Sequence, residues 1–246
     1  MAQPIKKGVV LFAATVAIVF GLSALSTTYS RATKGGSEAV SESFDMKGVS
    51  VVEINTQSYD FNVEFSNDST NRATLKMPQS DYNSSTQLTG HIDNGVLKIT
   101  GMGGIYQSML RLPNSVREIR LTGTDSSAEL SIRAAEKGTS IADLSIRAQS
   151  GNRVSISSLN VDKLSVDWPV NVGDNNPQLS LYSNRIKNLR IHMPSGDIDL
   201  NGTTASPDQI PMTFEKAQLM LGETVRLSGI TAQMLQKTSI AKFDQK

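Results

Sequence analysis

His91 and His192 are the only histidines in the chain and stand 101 residues apart. Neither sits in a metal-ligand spacing. His192 follows Ile191 at a strand end and reads as a surface or turn residue. A Ser-His-Asp set assembles from distant positions, but no serine stands in a nucleophile elbow. Asp197 and Asp199 alternate on one strand face. Two carboxylates hold Ca²⁺ only with further oxygen ligands, and the sequence names none. Asp197 closes Pro194-Ser195-Gly196-Asp197, a turn signal, so it reads as a turn cap. The 23 acidic residues make any single glycosidase-type pair uninformative. Gly101-Met102-Gly103-Gly104 follows a strand-like run, but no helix and no Lys-Ser pair comes after it. It reads as a loop or bulge, not a phosphate cradle. Cysteine is absent, which removes disulfides, thiolate sites, thiol nucleophiles and lipid-modified cysteine. No catalytic residue, cofactor site or metal site is assigned, and the chain is expected to be non-enzymatic.

Recognition is the chemistry left. Arg133 and Arg147 occupy the same place in a duplicated string, Leu-Ser-Ile-Arg-Ala, at 130–134 and 144–148. They are expected to stack as neighbours and to pair with Glu129 and Asp143. Trp168, the single tryptophan, precedes Pro169 and is expected as a partly buried packing residue at a corner, with a second reading as a partner anchor. Arg190 is the outward residue of a strand triplet. Arg133, Arg147, Trp168 and Arg190 form the candidate interaction surface.

Strands must position these residues. From Val49 onward, apolar and polar residues alternate in short runs, as in Phe61-x-Val63-x-Phe65 and Leu97-x-Ile99. Gly, Asn, Asp and Ser clusters separate the runs. Asp93-Asn94-Gly95 between apolar pairs predicts a hairpin. Gln209 to Gln236 is ambiguous, and its alternation favours strands.

The second half repeats. One arm recurs as Ile119-x-Leu121, Leu144-x-Ile146, Leu164-x-Val166 and Leu189-x-Ile191. Another recurs as Leu130-x-Ile132, Val154-x-Ile156, Leu179-x-Leu181 and Ile198-x-Leu200. A repeat of about 19 to 25 residues predicts a short parallel β-solenoid (β-helix), two strands per coil, with residues 49–100 and 207–246 capping its ends. The alternative is an antiparallel β-sandwich, which uses the same alternation.

Charge and composition exclude some partners. Residues 1–34 hold Lys6, Lys7, Arg31 and Lys34 and no acid, so 24 basic residues less four leaves 20 against 23 acids, a net of −3 for the rest. A slightly acidic domain with 5% aromatic residues lacks the footprint of a nucleic-acid binder.

Gly8 to Leu25 contains no charged residue, follows Lys6 and Lys7, and is long enough as a helix to approach bilayer thickness. The expected organisation is a signal-anchor or signal-peptide helix at 1–26, a flexible linker at 27–44 and a β domain at 45–246. Ala24-Leu25-Ser26 offers a cleavage site, which leaves open a secreted or periplasmic form. The lysines before the helix favour an N-terminus inside, so the domain is expected outside the cytoplasm.

The stretches VVEINTQSYDFNVEFSND, GHIDNGVLKITG, LRLPNSVREIRLTG and NLRIHMPSGDIDLNG, within residues 45–202, resemble the bacterial auto-transporter adhesin "head GIN" domain and adhesin-like β-helix domains of unknown function. Clear Gly-Ser-Gly turns are fewer here. The resemblance implies an exported β-helical domain and carries over no catalytic residue. The expected role is a membrane-tethered module at the bacterial inner membrane with its β domain in the periplasm, held by residues 8–25. It would bind an envelope protein, self-associate or serve envelope structure. The alternative is a protein that binds or cleaves envelope polysaccharide.

Overall fold

The computed structural model describes residues 30–32, 39–56, 60–66, 70–78, 88–101, 108–123, 129–135, 138–148, 153–169, 176–200 and 211–243. The apolar segment 8–25 lies outside them. No helix among the described residues is long and apolar enough to cross a membrane.

In chain order the first strands are β1 (Ser30–Ala32), β2 (Ala39–Asp45), β3 (Val51–Thr56), β4 (Asp60–Ser66) and β5 (Arg72–Pro78). Then come β6 (Thr89–Asp93), β7 (Val96–Gly101), β8 (Ser108–Pro113), β9 (Glu118–Gly123) and β10 (Glu129–Ala134). The long strands β11 (Thr139–Arg147), β13 (Leu159–Asp167) and β15 (Arg185–Met193) alternate with the short β12 (Arg153–Ser157), β14 (Gln178–Tyr182) and β16 (Asp197–Asp199). The chain continues through β17 (Thr213–Gly222), β18 (Arg226–Ser228), a short helix α1 (Ala232–Leu235) and β19 (Thr238–Phe243).

The fold is all-β, with two mixed sheets that share one core and do not close. Sheet A runs β1-β2-β5-β8-β4-β10-β12-β14-β16-β18, and sheet B runs β19-β17-β15-β13-β11-β9-β3-β7-β6. The two arms of the repeat separate cleanly. Ile119, Leu144, Leu164 and Leu189 are successive partners in the parallel ladders of sheet B. Leu130, Val154, Leu179 and Ile198 are successive partners in sheet A. Two layers are what a sandwich requires. Antiparallel pairing is confined to β1-β2-β5-β8 and to the β6-β7 hairpin. That hairpin turns at Asn94 (φ 51°) and Gly95 (φ 77°), as the Asn-Gly pair predicts.

Period-2 alternation explains the core. Leu97, Val52, Ile119, Leu144, Leu164 and Leu189 form one inward column, and each is at most 2% exposed. Burying each such side chain contributes roughly 1.5–3 kcal/mol before conformational entropy is subtracted. Corners between the sheets need unusual backbone. Ser158 (φ 61°) turns the chain from β12 to β13, and Ser183 (φ 56°) turns it from β14 to β15. Gly222 lies so close to the carbonyl of Pro194 that any Cβ there would overlap it.

Three expectations change. The linker expected over 27–44 overlaps β2, where Val40 and Phe44 are buried in the core. Those alternating apolar residues have a strand partner in β5 that is distant in sequence. Residues 49–100 are not simply a cap: β3 lies between β9 and β7, and β4 lies between β8 and β10. Finally, the two Leu-Ser-Ile-Arg-Ala strings fall on different sheets, so they are not neighbouring repeats.

Candidate interaction surfaces

Arg133 lies on the outer face of sheet A. Its guanidinium reaches Glu64 at 3.1 Å, and Arg111 reaches the other oxygen of the same carboxylate at 3.0 Å. The register of β8, β4 and β10 aligns Arg111, Glu64 and Arg133 as one row. Glu64 is thus clamped from both sides, and its side chain is only 13% exposed. The expected Arg133–Glu129 and Arg147–Asp143 pairs are replaced. Glu129 faces Arg153 at 3.9 Å, and Asp143 binds Lys163 at 2.8 Å. Farther along sheet A, Asp197 accepts two bonds from the Arg226 guanidinium, which draws that carboxylate away from any cation. The outer face of sheet A is therefore rich in satisfied ion pairs, with Ser131, Ser155 and Ser180 between them.

Sheet B differs. Arg147 and Arg190 both lie on its outer face and are exposed. Neither pairs with a carboxylate among the described residues. Arg147 shares a row with Asp167, His192 and Met220. Asp167 lies 2.7 Å from Nδ1 of His192, and the His192 ring lies against Phe243 with centroids 5.2 Å apart. Met220 is 40% exposed, an apolar side chain left on a polar face. Trp168 is 0% exposed and faces the core, one residue beyond Asp167. The period-2 pleat that turns Asp167 outward turns Trp168 inward, so it is no partner anchor. The candidate residues therefore divide: Arg147 and Arg190 share a face, Arg133 lies on the opposite sheet, and Trp168 is internal.

A second feature was not anticipated. The ladders of sheet B skip Ala142, Asp162, Lys187 and Glu215, all exposed. At each skip two consecutive residues face outward. At the first, the N–H groups of Ala142 and Asp143 both donate to the Arg117 carbonyl, at 2.8 and 3.2 Å. This is the signature of a bulge, and it recurs at one level in β11, β13, β15 and β17. The sequence signal is apolar-x-x-apolar, as in Val161-Asp162-Lys163-Leu164. A groove of about 380 Å³ lies at the bend. In it Lys187 binds Asp162 at 2.7 Å. That hydrogen bond, then the charges of Asp162 and Glu215, raise the Lys187 ammonium above its ordinary pKa.

Among the described residues no three His, Cys, Asp or Glu side chains group as a metal site. His91 lies exposed on β6, opposite Lys98.

No family model matches the chain, and no curated protein matches it. Solved structures do. A candidate adhesin from Parabacteroides merdae is 12% identical with a TM-score of 0.44, over 87% of this chain and 96% of that one. A candidate lipid-binding protein from Parabacteroides distasonis is 11% identical with a TM-score of 0.43, over 77% and 80%. A candidate cell adhesion protein from Clostridium sporogenes is 9% identical with a TM-score of 0.36, over 86% and 100%. None of the binding in those names is carried to this chain.

Proposed function

We propose that the chain is a non-enzymatic module tethered at the bacterial inner membrane by residues 8–25, with its β domain in the periplasm. In this reading the strands wind as a short parallel β-solenoid, each coil giving one strand to sheet A and one to sheet B. The outer face of sheet B takes an envelope protein partner. The observation that carries this reading is the pair of arginines and the exposed methionine left on the outer face of sheet B. Sheet B pairs many of its charges, Arg120 with Glu53 and Glu118 among them, yet Arg147 and Arg190 have no carboxylate partner among the described residues, and Met220 is exposed on the strand next to Arg190. Arginine and methionine are enriched in interfaces, and a rigid strand ladder spares the backbone part of the ordering cost of binding. Photo-crosslinking in intact cells tests the assignment. A photoreactive residue in place of Met220 should give a discrete protein adduct, and one in place of Arg153 on sheet A should not. Equal adducts from both positions, or none from Met220, would contradict it.

A further inference from the structure

The groove at the bend of sheet B has an unusual combination of groups. Asn160 on β13, Arg185 on β15 and Thr213 on β17 are direct ladder partners, so an amide, a guanidinium and a hydroxyl stand in one row. The skipped residues form the next row. Asp162 and Lys187 are paired there, and Glu215 stands next to Lys187. Lys237, just before β19, closes the groove. Among the described residues, neither Arg185 nor Lys237 pairs with a carboxylate. The groove thus offers two uncommitted cations together with carboxylates able to accept hydrogen bonds.

We propose that this groove binds a carboxylate-bearing saccharide, a uronate unit of an acidic glycan. A planar carboxylate matches the guanidinium fork of Arg185, and Lys237 adds a second positive charge. The hydroxyls of a sugar ring donate to Glu215 and exchange bonds with Asn160 and Thr213. A fully deprotonated inorganic anion such as sulfate has no donor for Glu215 or Asp162 and meets their repulsion. The volume of about 380 Å³ lies at the lower end of the range of small-ligand sites. Among the described residues that line the groove, the aromatic side chain of Phe214 is 3% exposed and offers no face for stacking. Binding therefore rests on charge and hydrogen bonds, is weak, and weakens further with salt. This site lies across the bend from Arg147 and Met220 and stands independently of the protein-partner reading.

Calorimetric titration of the full chain in detergent with trigalacturonate tests it. We expect a dissociation constant on the order of 0.1–1 mM at low salt. Arg185→Gln and Lys237→Gln should each weaken binding about tenfold, with unchanged thermal melts because both side chains are exposed. Arg190→Gln, outside the groove, should leave binding unchanged. Neutral trigalactose and inorganic sulfate should bind at least tenfold more weakly. The proposal is overturned if trigalacturonate shows no heat up to about 10 mM, or if the groove variants bind as the parent does. It is also overturned if triglutamate binds equally well, since the site would then read carboxylate alone.

Discussion

Asn184 sits at the corner between β14 and β15 with both ends of its amide hydrogen-bonded to backbone. It donates to the Ile156 carbonyl at 2.7 Å and accepts from the Leu159 N–H at 3.1 Å. It is fully buried, so truncation leaves two backbone groups without partners or water. Asn184→Ala should cost about 2–4 kcal/mol by chemical denaturation. Asn184→Asp should also destabilise, because a carboxylate cannot donate to Ile156. Glu42 is a different residue-scale case. It shares the inward face of β2 with Val40 and Phe44. Burial raises its carboxyl pKa, partly offset by a hydrogen bond from the Gly90 N–H. The folded state therefore holds this proton more tightly than the unfolded state, and stability falls as pH rises from the ordinary glutamate range through the raised value. Glu42→Gln should melt higher than the parent at pH 7.5 and about equal to it near pH 4. Equal differences at both pH values would show that ionisation is not the cause.

At the scale of elements, the strand rhythm carried the arms of the repeat because each inward column is continuous, from Ile119 to Leu189 and from Leu130 to Ile198. Three features were hidden for identifiable reasons. β2 looks like linker because Ser41, Glu42 and Ser43 surround its apolar residues, and its partner β5 follows two intervening strands. The bend in sheet B adds one residue to each repeat without breaking the apolar pattern on either side, so it hides inside the alternation. The duplicated Leu-Ser-Ile-Arg-Ala string misled, because strands of both sheets carry the same triplet chemistry. Ion pairs across strands were also illegible, since Arg133 finds its partner 69 residues away in Glu64. That pair gives an element-scale prediction. Glu64→Gln leaves Arg111 and Arg133 facing each other across β4, and should cost about 1–3 kcal/mol by urea denaturation. Adding Arg111→Gln to the same chain should recover part of the loss, because it removes the repulsion. A double variant no more stable than the single one would remove the clamp as the cause.

At the scale of the whole molecule, the two ends are finished differently. The first end carries the antiparallel strands β2, β5 and β6. The far end stops in β18 and β19, with Ile240 42% and Leu235 47% exposed. Lys242 points inward from β19 and reaches the Gly222 carbonyl at 3.3 Å. An inward lysine on the last strand is a device that discourages further strand addition. The proposed partner surface is therefore sought on the outer faces of the two sheets. The chain has no cysteine, so single introduced cysteines report cleanly on these faces. The most direct measurement compares Met220→Cys on sheet B with Arg153→Cys on sheet A, labelled by a membrane-impermeant maleimide in intact spheroplasts and in purified chain. A periplasmic module with a partner on sheet B predicts labelling of both without lysis. It also predicts that Met220→Cys reacts about tenfold more slowly in spheroplasts than when purified, while Arg153→Cys reacts equally in both. Labelling that requires lysis, or equal rates for Met220→Cys in both settings, would contradict it.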